Sequence, residues 1–310
     1  MFKKKTRCSL LTVTCSLFFV SLLSCRTTPP IPKAMLPENG FLPLDPGASA
    51  YIIADTEKSR PILEHLRLPS INNKQFAQML DRTCCAAAAL YLPGSERLYQ
   101  LCAWGSYPAA RANMAFGTNK GWKKQRSAQT GTAFWYSAKD GLSAAIEPGQ
   151  AFAAAAWSDL PADPFSAPPG TVIPEGFGEF ITGAALAFWI ENPAAVLNKK
   201  ISEMGIPIEL PVEQFFVGLH SEPESPQTGG EQEFTASIRL QFPGESQAKG
   251  LLSILGFARG FFSDDAASGG DMLTALLFSN PPLQDGRNLD FKTHTLSARE
   301  ISLLFRLFLL

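Results

Sequence analysis

Phe234-Thr235-Ala236-Ser237-Ile238-Arg239-Leu240-Gln241-Phe242 alternates apolar and polar side chains without a break. Successive side chains of a strand point to opposite faces, so this stretch predicts a strand with one face in a core and the other half-wet. Such alternation belongs to antiparallel sheets, because strands buried on both faces read as continuous apolar runs. Working outward, Pro243 ends the strand and an apolar helix is expected over 245–262. Upstream lie a polar loop at 221–232, a strand at 212–220, a helix at 193–204 with Pro193 at its start, and a strand at 184–190. Downstream, strands are expected at 272–279 and near 288–295.

The same order recurs earlier in the chain. Tyr51-Ile52-Ile53-Ala54-Asp55 corresponds to Ala187-Phe188-Trp189-Ile190-Glu191 at an offset of 136. The aromatic run Leu98 to Tyr107 corresponds to Phe234 to Phe242 at an offset of 135. Thr132-Ala133-Phe134-Trp135-Tyr136-Ser137 corresponds to Thr274-Ala275-Leu276-Leu277-Phe278-Ser279 at 142. Near-constant offsets in one order predict two copies of a supersecondary unit. The first copy reads as strand 50–54, helices 59–67 and 73–83, strands 85–92 and 97–105, helix 108–117, strand 131–137 and hairpin 142–156. The expected fold is α+β, two tandem copies of a β-α-β-β-α-β(-β) ferredoxin-like unit with a mainly antiparallel sheet. The copies fall at 50–158 and 181–310, and the Pro-rich stretch 159–180 reads as their linker.

Residues 1–24 read as an export signal: Lys3, Lys4, Lys5 and Arg7 precede an apolar run over 8–23. The run ends Leu22-Leu23-Ser24-Cys25, which resembles the lipobox of bacterial lipoproteins. That resemblance implies lipidation of Cys25, whose thiol alone can form the thioether to a diacylglyceryl group. Two or more acyl chains give stable anchoring. Residues 25–49 hold six prolines and read as an extended tether, reaching at most about 3.1 Å per residue. Arg26 follows the Cys where an inner-membrane retention signal would place Asp, so the expected address is the outer membrane facing the periplasm.

The chain carries 27 basic and 28 acidic residues, and loss of residues 1–24 with their four basic groups leaves 23 against 28, a net −5. A mildly acidic body is not a nucleic-acid binder by default and offers anionic lipid no global charge attraction. No P-loop, GxGxxG, HExxH or GxSxG is present. His65, His220 and His294 lie in different segments and read as surface or loop residues, and Asp264-Asp265 as a solvated loop pair. No catalytic residue, metal ligand set or cofactor is nominated, and an enzyme is not expected. Cys84, Cys85 and Cys102 remain after export, an odd number, either as small buried core residues or with one disulfide.

Two segments are apolar on most faces. In 247–262 Lys249, Ser253, Gly256 and Gly260 form a narrow stripe, while Leu251, Leu252, Ile254, Leu255, Phe257, Phe261 and Phe262 fill the rest. In 299–310 Arg299, Ser302 and Arg306 are the stripe and Leu303, Leu304, Phe305, Leu307 and Phe308 lie on the other faces. Both are too short to span a bilayer. Three readings stand open: core helices, interfacial helices whose apolar face enters the acyl boundary, or walls of a cavity for a lipid tail. The lipobox together with these helices resembles spirochaetal outer-membrane-associated lipoproteins of mixed α/β fold. The resemblance implies helices that insert into the inner leaflet of the outer membrane and open a hydrophobic cavity, with membrane lipid as partner. A sheet edge that recruits an envelope protein by strand addition is the competing expectation.

Overall fold

The computed structural model describes residues 44–65, 77, 79–91, 97–156, 161–166, 174, 176–203, 209–222, 232–266 and 280–309, less the side chains at 196, 199–201, 203, 257–266 and 304–309. The chain divides into two units, one of residues to Ile173 with Ile301–Leu310, the other Pro174–Glu300. Every strand pairing described within them is antiparallel.

The first unit runs β1 (Ala50–Asp55), α1 (Arg60–His65), β2 (Thr83–Leu90), β3 (Arg97–Gly105), α2 (Ala109–Thr118), β4 (Trp122–Arg126), β5 (Ala133–Ser137), β6 (Leu142–Glu147) and β7 (Gln150–Ala156). Its strands lie in the order β1-β2-β3-β7-β6-β5-β4. One sheet face is closed by α2: Ala112 and Phe116 of the helix pack with Tyr99, Ala103, Leu142, Ala144, Ile146 and Trp122. The other face carries two straps, pinned by the buried Gln100, whose Oε1 accepts from the Asp45 amide at 2.8 Å while its Nε2 donates to the Pro164 carbonyl at 2.9 Å. Phe165 packs on Phe152 of β7. Residues 161–166 are therefore part of the first unit's core, where the sequence reads as linker.

The second unit runs α3 (Phe177–Ile181), β8 (Leu186–Glu191), α4 (Ala194–Glu203), β9 (Gln214–Ser221), β10 (Glu233–Gln241), α5 (Glu245–Ala266), β11 (Leu283–Asp285), β12 (Asn288–Lys292), β13 (Leu296–Ser297) and the start of α6 (Ala298–Leu309). Its order is β11-β12-β10-β9-β8, with β13 beside β10. On one face α5 packs Ala248 and Leu251 on Leu240, Phe242, Leu289 and Phe291. On the other, α3 stacks Phe177 on Phe216 at 5.5 Å. Gly218 makes this close approach possible: a Cβ there would lie 2.7 Å from the Phe180 carbonyl oxygen.

The fold is mixed α/β and antiparallel, as expected, but its strand order is not ferredoxin-like. A split βαβ sets the strands flanking a helix parallel and apart. Here β1 and β2 are adjacent and antiparallel, with Ala54 opposite Ala86, and so are β8 and β9, with Ala187 opposite Gly218. At the start of each unit successive strands pair, β1-β2-β3 and β8-β9-β10, the smaller loops to close, whereas β3 then pairs with β7 and β10 with β12. The two units share one order all the same: β1-β2-β3-β7-β6 in the first, β8-β9-β10-β12-β11 in the second. The segments matched at offsets 136 and 135 are β1 with β8 and β3 with β10, and they hold the same positions. The expected strand at 272–279, with the copy Thr274–Ser279, lies outside the described residues.

Candidate functional site

Helix α5 follows from its inward spacing. Ala248 and Leu251 are buried and Leu252 and Leu255 half-buried, at i, i+3, i+4 and i+7, one stripe on one core. Leu251, expected among the lipid contacts, is therefore a core residue. Lys249, Ser253 and Gly256, the polar stripe of the sequence, are exposed, and Lys249 pairs with Glu245 at 2.6 Å. Between them Ile254 keeps 44% of its surface open. The expected contacts Phe257, Phe261 and Phe262 lie outside the described side chains, although the helix continues through them to Ala266. Asp264 and Asp265 are in its last turn rather than in a loop.

Helix α6 begins on a capping box. The Ser297 hydroxyl accepts from the Glu300 amide at 3.2 Å, and the Glu300 carboxylate accepts from the Ser297 amide at 2.8 Å. Ile301 and Ser302 are buried, and Leu303 is 43% exposed. Leu304, Phe305, Leu307 and Phe308 lie outside the described side chains. Among the described residues no helix is long and apolar enough to cross a membrane.

In the second unit a cavity of about 470 Å³ opens beside α3. Its centre is Arg239, which donates from Nε and Nη2 to both Asp290 oxygens at 2.7 and 2.8 Å. The guanidinium also lies 5.3 Å over the Phe180 ring and 3.7 Å from Glu179. The Asp290 hydrogen bonds raise the Arg239 pKa above its ordinary value. A cation so bracketed ties α3 to the sheet. His220, Ser237 and Lys292 share its wall with the apolar Phe180, Ile238, Leu283 and Phe291, so the cavity is mixed in character.

Other sequence candidates are spread apart. His65 is exposed on α1 and bonded through Nδ1 to the Pro61 carbonyl, and His294 is exposed in the second unit. Among the described residues no cluster of His, Cys, Asp and Glu could hold a metal ion. Cys84, Cys85 and Cys102 are free thiols, with Cys85 and Cys102 buried. Cys84 donates to the Trp104 carbonyl at 3.1 Å. Burial pushes the Cys85 thiol up to about 12 and Cys102 upward as well. Of the two readings the sequence left open for these cysteines, the structure has the unpaired thiols. Cys25 lies outside the described residues.

The family of the outer membrane-associated lipoprotein TP0453 matches residues 37–140, about a third of the chain. It is a family of outer membrane-associated lipoproteins of the bacterial envelope, the address that the lipobox predicts. Crystal form III of TP0453 superposes with a TM-score of 0.58 at 16% identity, covering 88% of this chain and 99% of that one. Crystal form I gives 0.57 at 15%, covering 87% and 98%. At such identity the likeness is one of fold. A comparison with curated protein sequences finds no match.

Proposed function

We propose that this chain is a lipid-anchored protein of the outer membrane, facing the periplasm, that touches the bilayer through outward apolar side chains of α5 and α6. Three things support the reading: the lipobox at Cys25, the match of residues 37–140 to the outer membrane-associated lipoprotein family, and the exposure of Ile254 and Leu303 close to the buried Leu251 and Ile301 of the same helices. The last carries it. Burying either exposed part is worth roughly 1 kcal/mol, from about 25 cal/mol per Å². Such weak contacts matter when a lipid anchor at Cys25 keeps the body near the membrane. The reading needs no catalytic group and no cofactor. In it the two units, with their shared strand order, are copies of one ancestral unit.

Flotation with zwitterionic vesicles tests it, using the chain from residue 25 with Cys25→Ser. The protein should float weakly, and Ile254→Ser with Leu303→Ser should reduce the floated fraction several-fold. A protein that stays wholly at the bottom of the gradient sinks the reading. Recruitment of an envelope protein is the second reading. It draws on the outermost strand β11, where Leu283 is 71% exposed.

A further inference from the structure

We propose that the corner formed by α2, β4 and β5 of the first unit is a docking face for anionic lipid headgroups. The inference rests on the membrane-contact reading above and names the lipid class. From residue 98 to 139 the chain has no acidic residue, while Arg111, Lys120, Lys123, Lys124, Arg126 and Lys139 are basic, in a chain of net charge −1 overall. The structure gathers this block. β4 is the outermost strand of its sheet, and Lys123, Lys124 and Arg126 are exposed on it. The pairing of Trp122 with Ser137 brings the turns carrying Lys120 and Lys139 to one end of the β4–β5 pair. Among the described residues no carboxylate pairs with any of these five cations.

The mount is stiff. Phe116 packs on Trp122 at 4.9 Å and on Trp135 at 5.9 Å, the Trp135 indole donates to Asn113 Oδ1 at 2.8 Å, and the Lys124 ammonium lies 5.8 Å over the Trp135 ring. On α2 of the same corner Met114 stands 67% exposed. Lysines on an edge strand are ordinarily explained as protection against strand pairing. That explanation covers Lys123, Lys124 and Arg126. It does not cover the turn residues Lys120 and Lys139, the absence of any carboxylate over 42 residues, or the outward Met114. A corner with exposed cations, Lys124 and Arg126 on one face of the edge strand and Lys123 on the other, and an exposed Met114 suits a headgroup layer. An acidic strand of another protein added to β4 is the rival occupant.

Vesicle sedimentation of the Cys25→Ser chain from residue 25 tests the proposal, with phosphatidylcholine vesicles against phosphatidylcholine containing about a third phosphatidylglycerol. At about 0.1 M salt the protein should bind the anionic vesicles about tenfold tighter, and added salt should erase the difference. Lys120→Gln, Lys123→Gln, Lys124→Gln and Arg126→Gln together should lower binding to the phosphatidylcholine level. If that variant does not fold, Lys120→Gln with Lys139→Gln, both in turns, should weaken anionic binding about threefold. Equal binding to the two vesicle types, or variants that bind as the parent does, overturns the proposal while leaving apolar contact standing. Binding to soluble polyglutamate without binding to anionic vesicles overturns it in favour of an acidic protein. Loss of binding to every vesicle sinks the membrane reading itself, a separate result.

Discussion

Two glycines set the tolerance of this fold at the scale of single atoms. A Cβ on Gly105 would come within 1.9 Å of the Arg82 carbonyl oxygen, and one on Gly218 within 2.7 Å of that of Phe180. Both obstacles are backbone, so neither yields by a rotamer change. Gly218→Ala should cost about 1–3 kcal/mol and Gly105→Ala more, read as lower urea midpoints. The thiols give a pH prediction. Burial raises the Cys85 pKa from 9.0 to about 12, so the folded state holds its proton where the unfolded chain has lost it. The contribution to stability is complete below about pH 9 and is lost as pH climbs toward about 12. Thiol reagents at pH 8 should therefore modify Cys85 and Cys102 slowly in the native protein and quickly in guanidinium. Rapid native labelling would contradict this burial.

At the scale of elements, α5 separates two roles that share one apolar composition. Leu251 lies in the core with Phe242 and Leu289, whereas Ile254, three positions on, is nearly half exposed. Leu251→Ala should cost about 2–5 kcal/mol in chemical denaturation. Ile254→Ser should move stability by less than about 0.5 kcal/mol and act on vesicle binding alone. The strands show what was legible. The alternation of 234–242 is β10 to within a residue, because period-2 patterning is a local property of a half-buried strand. β4 was missed, since Lys123-Lys124-Gln125-Arg126 has no apolar alternation. It is a strand because β5 supplies its hydrogen bonds and Trp122 its one buried side chain. The capping box Ser297–Glu300 is written in the sequence at the Ser-x-x-Glu spacing.

On the scale of the whole molecule, the proposed function separates anchoring from contact. Diacyl anchoring is stable by itself, and the surface contacts are weak. Cys25→Ser in the full-length protein should shift it from the detergent phase to the aqueous phase in detergent partitioning. Ile254→Ser in the lipidated protein should leave the partition unchanged. A Cys25→Ser protein that still enters the detergent phase would show that the apolar helices alone suffice.

The sequence alone carries the lipobox on which the proposed envelope address rests, the positions of strands such as β1, β3 and β10, and the antiparallel class, because a lipobox and side-chain periodicity are short-range features. Tertiary structure decided which strand lies beside which. Alternation marks the faces of a strand and carries no information on its partner, so a ferredoxin-like order and the observed order are equally compatible with it. Tertiary structure also decided which apolar side chains are core. Leu251 and Ile254 are both aliphatic, and only the sheet under α5 tells them apart. The basic corner required both: the acid-free run is written in residues 98–139, and the folding of β4 to the sheet edge is what leaves its cations exposed without carboxylate partners among the described residues.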